Sequence, residues 1–414
     1  MKRFLNIIIC FLFLPLWGGQ VGFVCAEISF RGAWIATVAN IDWPSTEAVG
    51  NDSLQKAEMV WILDSLESLG INAVIFQVRP TADALYLSEY EPVSHWLMGT
   101  QGDSLTYDPL EWTIEQAHSR NMEVHVWLNP YRVNLAKTDT SMICADHIWR
   151  KHPEWFWEYN KQWYFNPGLD ITCDWICTIV SDIVDRYDIQ AIHMDDYFYP
   201  YPVGGKPLPD VETYKKYPRG FDNIEDWRRD NVNRAIQEIS ATIHECKDSV
   251  QFGISPFGVW RNASVDSTGS ATTAGITNYD DLYADIRLWI KKGWIDYVLP
   301  QLYWEIGKKA ADYEILAHWW ANEVRGTNCK LYIGMAPYRL EGAKKDSPWG
   351  IGNEISRQMK LNRTIPEISG ECFYSTRPLL RNPRHVCDSI QKAYTAPTTD
   401  TPIQDEYDFH LPWE

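Results

Sequence analysis

The sequence lacks the motifs that mark most nucleotide, cofactor and metal enzymes. It has no G-x-G-x-x-G after its first apolar run, no P-loop, no G-x-S-x-G elbow and no H-x-H pair. These absences count against a doubly wound nucleotide-binding sheet, a serine hydrolase elbow and an amidohydrolase-type metal site. We therefore expect neither a cofactor nor a catalytic metal.

Positive charge is also scarce. The 414 residues carry 38 Lys and Arg against 55 Asp and Glu, a formal net charge of −17. A chain this acidic is not expected to bind nucleic acid or anionic lipid through bulk electrostatics.

Cysteines are few and irregularly spaced. Beyond the N-terminal 26 residues seven remain, an odd number, so a full disulfide framework is excluded. Cys173 and Cys177 are one helical turn apart, but no second pair has ligand spacing. Two packed thiols fit them better than a zinc site.

The N-terminal apolar run is too short and too interrupted for a confident membrane span. Lys2 and Arg3 precede about a dozen apolar residues, which Pro15 interrupts, and small residues follow. This pattern predicts a secretory signal peptide at 1–26 and export to the periplasm or cell surface. A lipid anchor at Cys25 is the weaker alternative, because the residue before it is bulky.

Eight short apolar, β-branched or aromatic runs alternate with segments of helical spacing. The runs begin at Arg31, Ile71, Met122, Ile189, Val250, Ile295, Lys330 and Ile368, and the helices are predicted near 52–69, 108–120, 172–187, 224–246, 279–291, 311–323, 350–362 and 379–393. Eight such units predict an α/β fold, a (β/α)8 TIM barrel, as a single domain over 27–394. Residues 395–414 are rich in Thr and Pro and predict a tail.

Polar and aromatic residues accumulate where the predicted strands end. In a barrel these positions face one cavity, and the long segments 130–171 and 197–223 lie at the same face. Aromatic faces with amide, carboxylate and guanidinium groups are typical of sugar sites. The predicted substrate-binding residues are Trp34, Gln77, Arg79, Asn129, Tyr131, His193, Tyr197, Trp260, Gln301, Tyr303, Trp304 and Glu305. We also expect at least one of the consecutive aromatics at 155–157 to line a subsite.

Asp195 and Asp196 are the predicted catalytic residues. Strand alternation directs Asp195 inward, and Asp196 reaches the cleft only if the strand flares at its end. Adjacent Cα atoms are about 3.8 Å apart, whereas an inverting pair needs carboxyls about 6.5 to 9.5 Å apart. The pair better fits substrate assistance, in which one Asp orients a 2-acetamido group and the other is the acid.

Three alternatives remain open for these residues. Asp195 could be a nucleophile with Glu305 as the acid, as in a retaining glycosidase of a neutral polysaccharide. The aspartates could instead be structural, one capping a turn and the other paired with Arg79 or Arg132. Asp195 could also join His125 and His193 in a metal site, although buried, hydrogen-bonded histidines are the default.

Several blocks, in order along nearly the whole chain, resemble the glycosyl-hydrolase-like family 10 of secreted bacterial (β/α)8 proteins. The matching blocks are RGAWIATVANIDWPS, NAVIFQVRPTADALY, VWLNPYR, NPG, HMDDYFYP, DWRRDNVN, SPFGVWRN and PQLYW. The resemblance implies a glycosidase of bacterial glycans, with a characterised relative that cuts peptidoglycan strands stripped of their peptides. It implies that Asp195 and Asp196 are the main functional residues. It also adds Arg228 and Arg229, either as groups near the cleft or as salt-bridged helix residues.

Together these patterns predict an exported, monomeric glycoside hydrolase whose partner is a glycan of 2-acetamido sugars, such as peptidoglycan. Asp196 is the expected general acid/base and Asp195 the group that orients the reacting sugar, although the two roles could be exchanged. A glycan-binding barrel without catalysis is the alternative from another class.

Overall fold

The computed structural model describes residues 28–136 and 139–395. The predicted signal peptide at 1–26, the alternative anchor at Cys25 and the predicted tail beyond residue 395 lie outside the described residues. Among those that are described, no helix is long and apolar enough to cross a membrane.

Eight parallel strands close into a barrel, and each coincides with one of the eight predicted runs, with β1 and β2 extending one residue beyond theirs. The barrel prediction is therefore confirmed. The strands are β1 (Phe30–Ile35), β2 (Ala73–Arg79), β3 (Glu123–Leu128), β6 (Ala191–Met194), β7 (Gln251–Ile254), β8 (Tyr297–Val298), β9 (Lys330–Met335) and β10 (Ile368–Phe373), with β10 pairing back to β1. An antiparallel hairpin, β4 (Phe156–Tyr159) and β5 (Gln162–Phe165), lies in the long segment after β3.

Helices follow the strands as predicted, but three of the predicted helices are divided and three further short helices were not predicted. The helices are α1 (Asp52–Ser68), α2 (His95–Met98), α3 (Pro109–His118), α4 (Ile148–Lys151), α5 (Asp170–Arg186), α6 (Val211–Lys216), α7 (Ile224–Cys246), α8 (Asn278–Asp281), α9 (Ile286–Lys292), α10 (Tyr313–Val324), α11 (Pro348–Ile351), α12 (Glu354–Asn362), α13 (Thr376–Arg381) and α14 (Val386–Thr395). The predicted single helices at 279–291, 350–362 and 379–393 are each divided. Tyr283, Gly352 and Asn382 have positive φ at the breaks, which a right-handed helix excludes.

Side-chain caps fix where several of the longer helices begin. The side chain of Asn51 accepts a hydrogen bond from the backbone at the start of α1, and Asn223 does the same for α7. Asp108 caps α3 and is followed by Pro109 in its first turn. These residues satisfy N–H groups that have no partner inside the helix.

The apolar core has two layers, one between barrel and helices and one inside the barrel. The inner layer includes rings from opposite strands, among them Phe30, Trp127 and Tyr297. Small residues make room for these rings. A Cβ on Gly253 would lie only 1.8 Å from Cζ of Tyr297 on the neighbouring strand. The filled interior leaves open space only above this layer, at the strand ends.

Candidate active site

A cavity of about 200 Å³ opens at the C-terminal end of the barrel. Six of the predicted site residues line it: Trp34, Asp195, Asp196, Tyr197, Gln301 and Tyr303. Trp127, Tyr201, Ser255 and Tyr374 complete the wall. In the described part of the chain, the two aspartates are the only carboxylates that line this cavity.

Both aspartates reach the cavity because the strand ends just before them. β6 stops at Met194, so strict alternation no longer separates the two side chains. Asp195 and Asp196 are 4% and 2% exposed. The chain therefore departs from regular strand geometry at this end, which was the condition for Asp196 to face the cleft.

Asp195 is held by hydrogen-bond donors on both carboxylate oxygens. Trp127 Nε1 donates to Oδ2 at 3.1 Å, Asn129 Nδ2 lies 3.2 Å from each oxygen, and the backbone N–H of Tyr197 donates to Oδ1 at 3.2 Å. Burial raises the pKa of Asp195, while nearby Arg132 and these donors oppose the rise. The donors fix the carboxylate in one orientation.

Asp196 has fewer donors and a carboxylate neighbour. The Tyr201 hydroxyl donates to its Oδ2, and Gln301 Nε2 donates to Oδ1 at 3.2 Å. Burial, and next the charge of Asp195, raise the pKa of Asp196 to about 7. A carboxyl that carries a proton near neutral pH, beside one held by several donors, is an arrangement suited to general acid catalysis.

His193 lies below the cavity and supports it. Its Nδ1 is 2.9 Å from the Tyr297 hydroxyl and its Nε2 is 2.9 Å from Ser255 Oγ. Burial, followed by the charge of His125, holds the pKa of His193 well below its usual range, so the ring is neutral. Within the described ranges no cluster of three His, Cys, Asp or Glu side chains could hold a metal.

Comparison with known proteins assigns the family. The profile of the family described as glycosyl hydrolase-like 10 matches residues 29–351. The chain belongs to this family.

Two curated relatives illustrate the similarity. Glycosyl hydrolase YngK of Bacillus subtilis (strain 168) is 48% identical over 366 residues, which cover 88% of this chain and 71% of the relative. Glycosyl hydrolase DigH of Escherichia coli (strain K12) is 40% identical over 362 residues, covering 83% and 82%. The prediction that the protein is a glycoside hydrolase is therefore confirmed.

Among solved structures, the fold is similar to the glycoside hydrolase domain of PgaB (BpsB) from Bordetella bronchiseptica. The TM-score is 0.52 at 10% identity, with 90% of this chain and 99% of that chain covered. At this identity the match supports the (β/α)8 fold alone.

Two predicted binding residues of this glycoside hydrolase stand behind the cavity wall. Asn129 reaches the cavity only through its bonds to Asp195. Gln77 is fully buried, and its Oε1 accepts hydrogen bonds from the backbone of Thr37 and Val38 at 3.0 and 2.9 Å. Asn129 therefore holds Asp195 in place, and Gln77 holds the backbone that follows β1.

Other predicted binding residues lie away from the cavity. The buried Arg79 guanidinium forms an ion pair of 2.6 Å with Glu91. Tyr131 is buried in the outer core, and Trp260 stacks on Trp319 with ring centroids 5.9 Å apart. Trp304 packs edge-on against Phe257 at 5.4 Å. Each ring or charge packs against a protein partner, and none of these residues lines the cavity.

Glu305, the candidate second acid, also lies outside the cavity lining. Trp349 Nε1 donates to it at 2.9 Å, and Lys308 is 3.2 Å away. Burial tends to raise the pKa of Glu305, but its own backbone N–H, Trp349 and Lys308 outweigh burial and lower it. A charged, paired Glu305 is poorly suited to donate a proton.

The remaining sequence expectations have mixed outcomes. Arg228 and Arg229 are salt-bridged, to Asp210 and Asp226, so the second of the two interpretations applies to them. The aromatics at 155–157 belong to a short 3-10 turn and the β4–β5 hairpin, where two of them are buried in the outer core. The seven cysteines of the described chain are all free thiols.

Four cavity residues are absent from the predicted binding residues: Trp127, Tyr201, Ser255 and Tyr374. Ser255 comes directly after β7. Trp127 and Tyr374 stand at or just past the ends of β3 and β10, so the strand-end rule could have found them. Tyr201 lies five residues after Asp196 in a loop, and no periodicity points to it.

Proposed function

We propose that this glycoside hydrolase is exported and cleaves glycans of 2-acetamido sugars, with peptidoglycan strands as its substrate. The observation that carries the proposal is the buried pair Asp195 and Asp196, whose hydrogen-bond environments differ within one small aromatic cavity. The family resemblance of the sequence supports a bacterial glycan, and the charged, apolar N-terminal segment supports export.

In the proposed reaction, Asp196 is the general acid. Its proton passes to the glycosidic oxygen as the bond from that oxygen to C1 breaks. The carbonyl oxygen of the substrate's own 2-acetamido group attacks C1 and forms a bicyclic oxazolinium ion. The Asp196 carboxylate then takes a proton from water as the water oxygen attacks C1 and displaces the carbonyl oxygen. This step restores the acetamido group, and the anomeric configuration is retained overall.

Asp195 orients the acetamido group in this scheme. Its carboxylate accepts a hydrogen bond from the acetamide N–H and stabilises the positive charge that develops on the ring. The fixed donors Trp127 and Asn129 keep the carboxylate in place without reorganisation. The aromatic walls, Trp34 and Tyr303 among them, offer faces on which a pyranose can stack.

The test is product release from purified peptidoglycan strands without peptides, followed by mass spectrometry. We expect oligosaccharides from the wild type, and Asp196→Asn should lower kcat by about 10²- to 10⁴-fold. Asp188→Asn, which changes an exposed carboxylate before the same strand, is the control and should be fully active. No products from the wild type would refute peptidoglycan as the substrate.

A second experiment tests the substrate-assisted route. Strands whose acetamido groups have been chemically removed cannot form the oxazolinium ion, and we expect them to resist cleavage. A thiazoline analogue of that ion should inhibit competitively and bind more tightly than the substrate. Equal cleavage of both strands would contradict assistance and favour direct attack by water or protein.

A further inference from the structure

Two arginines near the catalytic cavity have no carboxylate partner in the described chain, although the protein is strongly acidic. In Arg132, Nε and Nη2 both donate to the carbonyl oxygen of Pro80 at 3.1 Å. Its Nη1 has no hydrogen-bond partner among the described residues, and this atom is not buried. The guanidinium lies 5.3 Å from the ring centroid of Tyr197, which lines the cavity.

Arg339 is even less engaged. Its side chain makes no hydrogen bond or ion pair with residues 28–136 or 139–395, and its Nε is buried without a partner. The guanidinium lies 5.9 Å from the ring centroid of Tyr338 and 6.0 Å from that of Trp349. Its two Nη groups also lack partners among the described residues but are not among the buried atoms, so they are the donors that an external acceptor can reach.

The two arginines stand on opposite sides of the barrel mouth. Arg132 follows β3 and Arg339 follows β9, and these strands are four apart in the ring of eight. The ring of Tyr338 lies 6.0 Å from Tyr303 and 6.2 Å from Tyr374, both of which line the cavity. A linear polymer crossing the mouth from one arginine to the other therefore passes over the aspartate pair.

We propose that Arg132 and Arg339 bind carboxylates of the glycan on either side of the cleavage site. The inference rests on the proposed function, because it is in peptidoglycan that removal of each peptide frees a lactyl carboxylate on every second sugar. Guanidinium groups match carboxylates geometrically and bind them through charge-assisted hydrogen bonds. They also offer local attraction for an anionic strand that the net charge of −17 would repel.

The experiment compares peptide-free strands with the same strands after their carboxylates are converted to methylamides. For the wild type we expect kcat/KM to fall about tenfold or more on conversion, as for loss of a hydrogen bond to a charged group. Arg132→Gln and Arg339→Gln should each reduce this preference, and the double variant should abolish it. Arg325→Gln, an exposed arginine before β9, is the control and should keep the preference.

The ratio of the two substrates separates recognition from structure. A purely structural role of either arginine would lower activity on both strands and leave their ratio unchanged, which would overturn the proposal. Binding of both strands to Asp196→Asn is measured in parallel. If no products form, the proposed function fails. The carboxylate site is then supported by preferential binding of the charged strand and overturned by equal binding.

Discussion

At the scale of single residues, the two aspartates of the proposed catalytic pair differ in their hydrogen bonding. Asp195 accepts hydrogen bonds from Trp127, Asn129 and the backbone N–H of Tyr197, whereas Asp196 accepts them from the side chains of Tyr201 and Gln301 and from its own backbone N–H. Two adjacent buried carboxylates cannot both ionise readily, so one of them retains a proton. The charge of Arg132, followed by the donors on Asp195, favours the ionised form of Asp195 and leaves the proton on Asp196.

The first prediction concerns the pH dependence of the reaction. Because the pKa of Asp196 is raised to about 7 and the acid must be protonated, kcat/KM should fall as the pH rises above about 7. Tyr201→Phe removes a donor that favours the charged form, so the pKa rises further. The alkaline limb should then move up by about one pH unit. Initial rates from pH 4 to pH 10 measure both effects.

Tyr374→Phe is the matched control for this variant. It removes a hydroxyl from the same cavity wall, but no hydrogen bond joins Tyr374 to Asp196. Its alkaline limb should coincide with that of the wild type. A limb that stays in place in Tyr201→Phe would show that another group sets the upper pKa.

Sequence located the acidic pair but only part of the cavity. Asp195, Asp196, Trp34 and Tyr303 could be found because strand ends in a barrel converge on one cavity. The same rule wrongly suggested a cleft position for Arg79, since spacing does not reveal that Glu91, in a later loop, neutralises it. Tyr201 depends on the path of an irregular loop, which no periodicity encodes.

At the scale of elements, the alternation of strands and helices was predictable and its interruptions were not. Buried parallel strands read as apolar runs, so all eight were recognised. The β4–β5 hairpin is rich in aromatics and lies in a charged segment, so the sequence pattern predicted a loop there and no strands. The division between α8 and α9 falls at Tyr283, a residue type that does not signal positive φ.

The buried ion pair between Arg79 and Glu91 carries the second prediction. It joins the end of β2 to the following loop, and both side chains are fully buried. Arg79→Met should lower the free energy of unfolding by about 3 to 5 kcal/mol, because Glu91 is left as an unpaired buried charge. KM should not change. Urea unfolding and steady-state kinetics provide the two readouts.

The double variant Arg79→Met, Glu91→Leu tests the cause. Removing both charges should recover much of the lost stability, since an apolar pair needs no compensation. An increased KM for Arg79→Met with unchanged stability would instead indicate that Arg79 binds the substrate.

The third prediction concerns the contact between β7 and β8 inside the barrel. Gly253→Ala places a methyl group 1.8 Å from the Tyr297 ring, which cannot move without disturbing its bonds to His125 and His193. We expect a loss of about 3 kcal/mol in unfolding free energy. Gly275→Ala, where a Cβ meets no atom within 4 Å, is the control. Equal melting temperatures for the two variants would show that the barrel interior can expand.

At the scale of the whole molecule, the enzyme combines an acidic chain with a buried acidic site. A general acid needs burial to keep its proton near neutral pH, and burial of its ionised form costs stability. The barrel core must offset this cost at alkaline pH. Catalysis and folding are therefore linked through the protonation of one residue.

The last prediction follows from this linkage. The pKa of Asp196 is about 7 in the folded protein and near 3.8 in the unfolded chain, so the folded state binds the proton more tightly. The contribution of this proton to stability is complete below about pH 4 and is lost as the pH rises through 7. Asp196→Asn has no such proton. Its stability relative to the wild type should therefore increase by about 2 kcal/mol between pH 5 and pH 8.

Urea unfolding of both proteins at pH 5, 6, 7 and 8 measures this difference directly. The comparison cancels the titrating groups whose pKa the substitution leaves unchanged, such as the neutral His193. Asp188→Asn, which alters an exposed carboxylate, should follow the wild type at all four pH values. If the curves of Asp196→Asn and the wild type were parallel, Asp196 would already be ionised at pH 5. It could not then be the acid that protonates the leaving sugar.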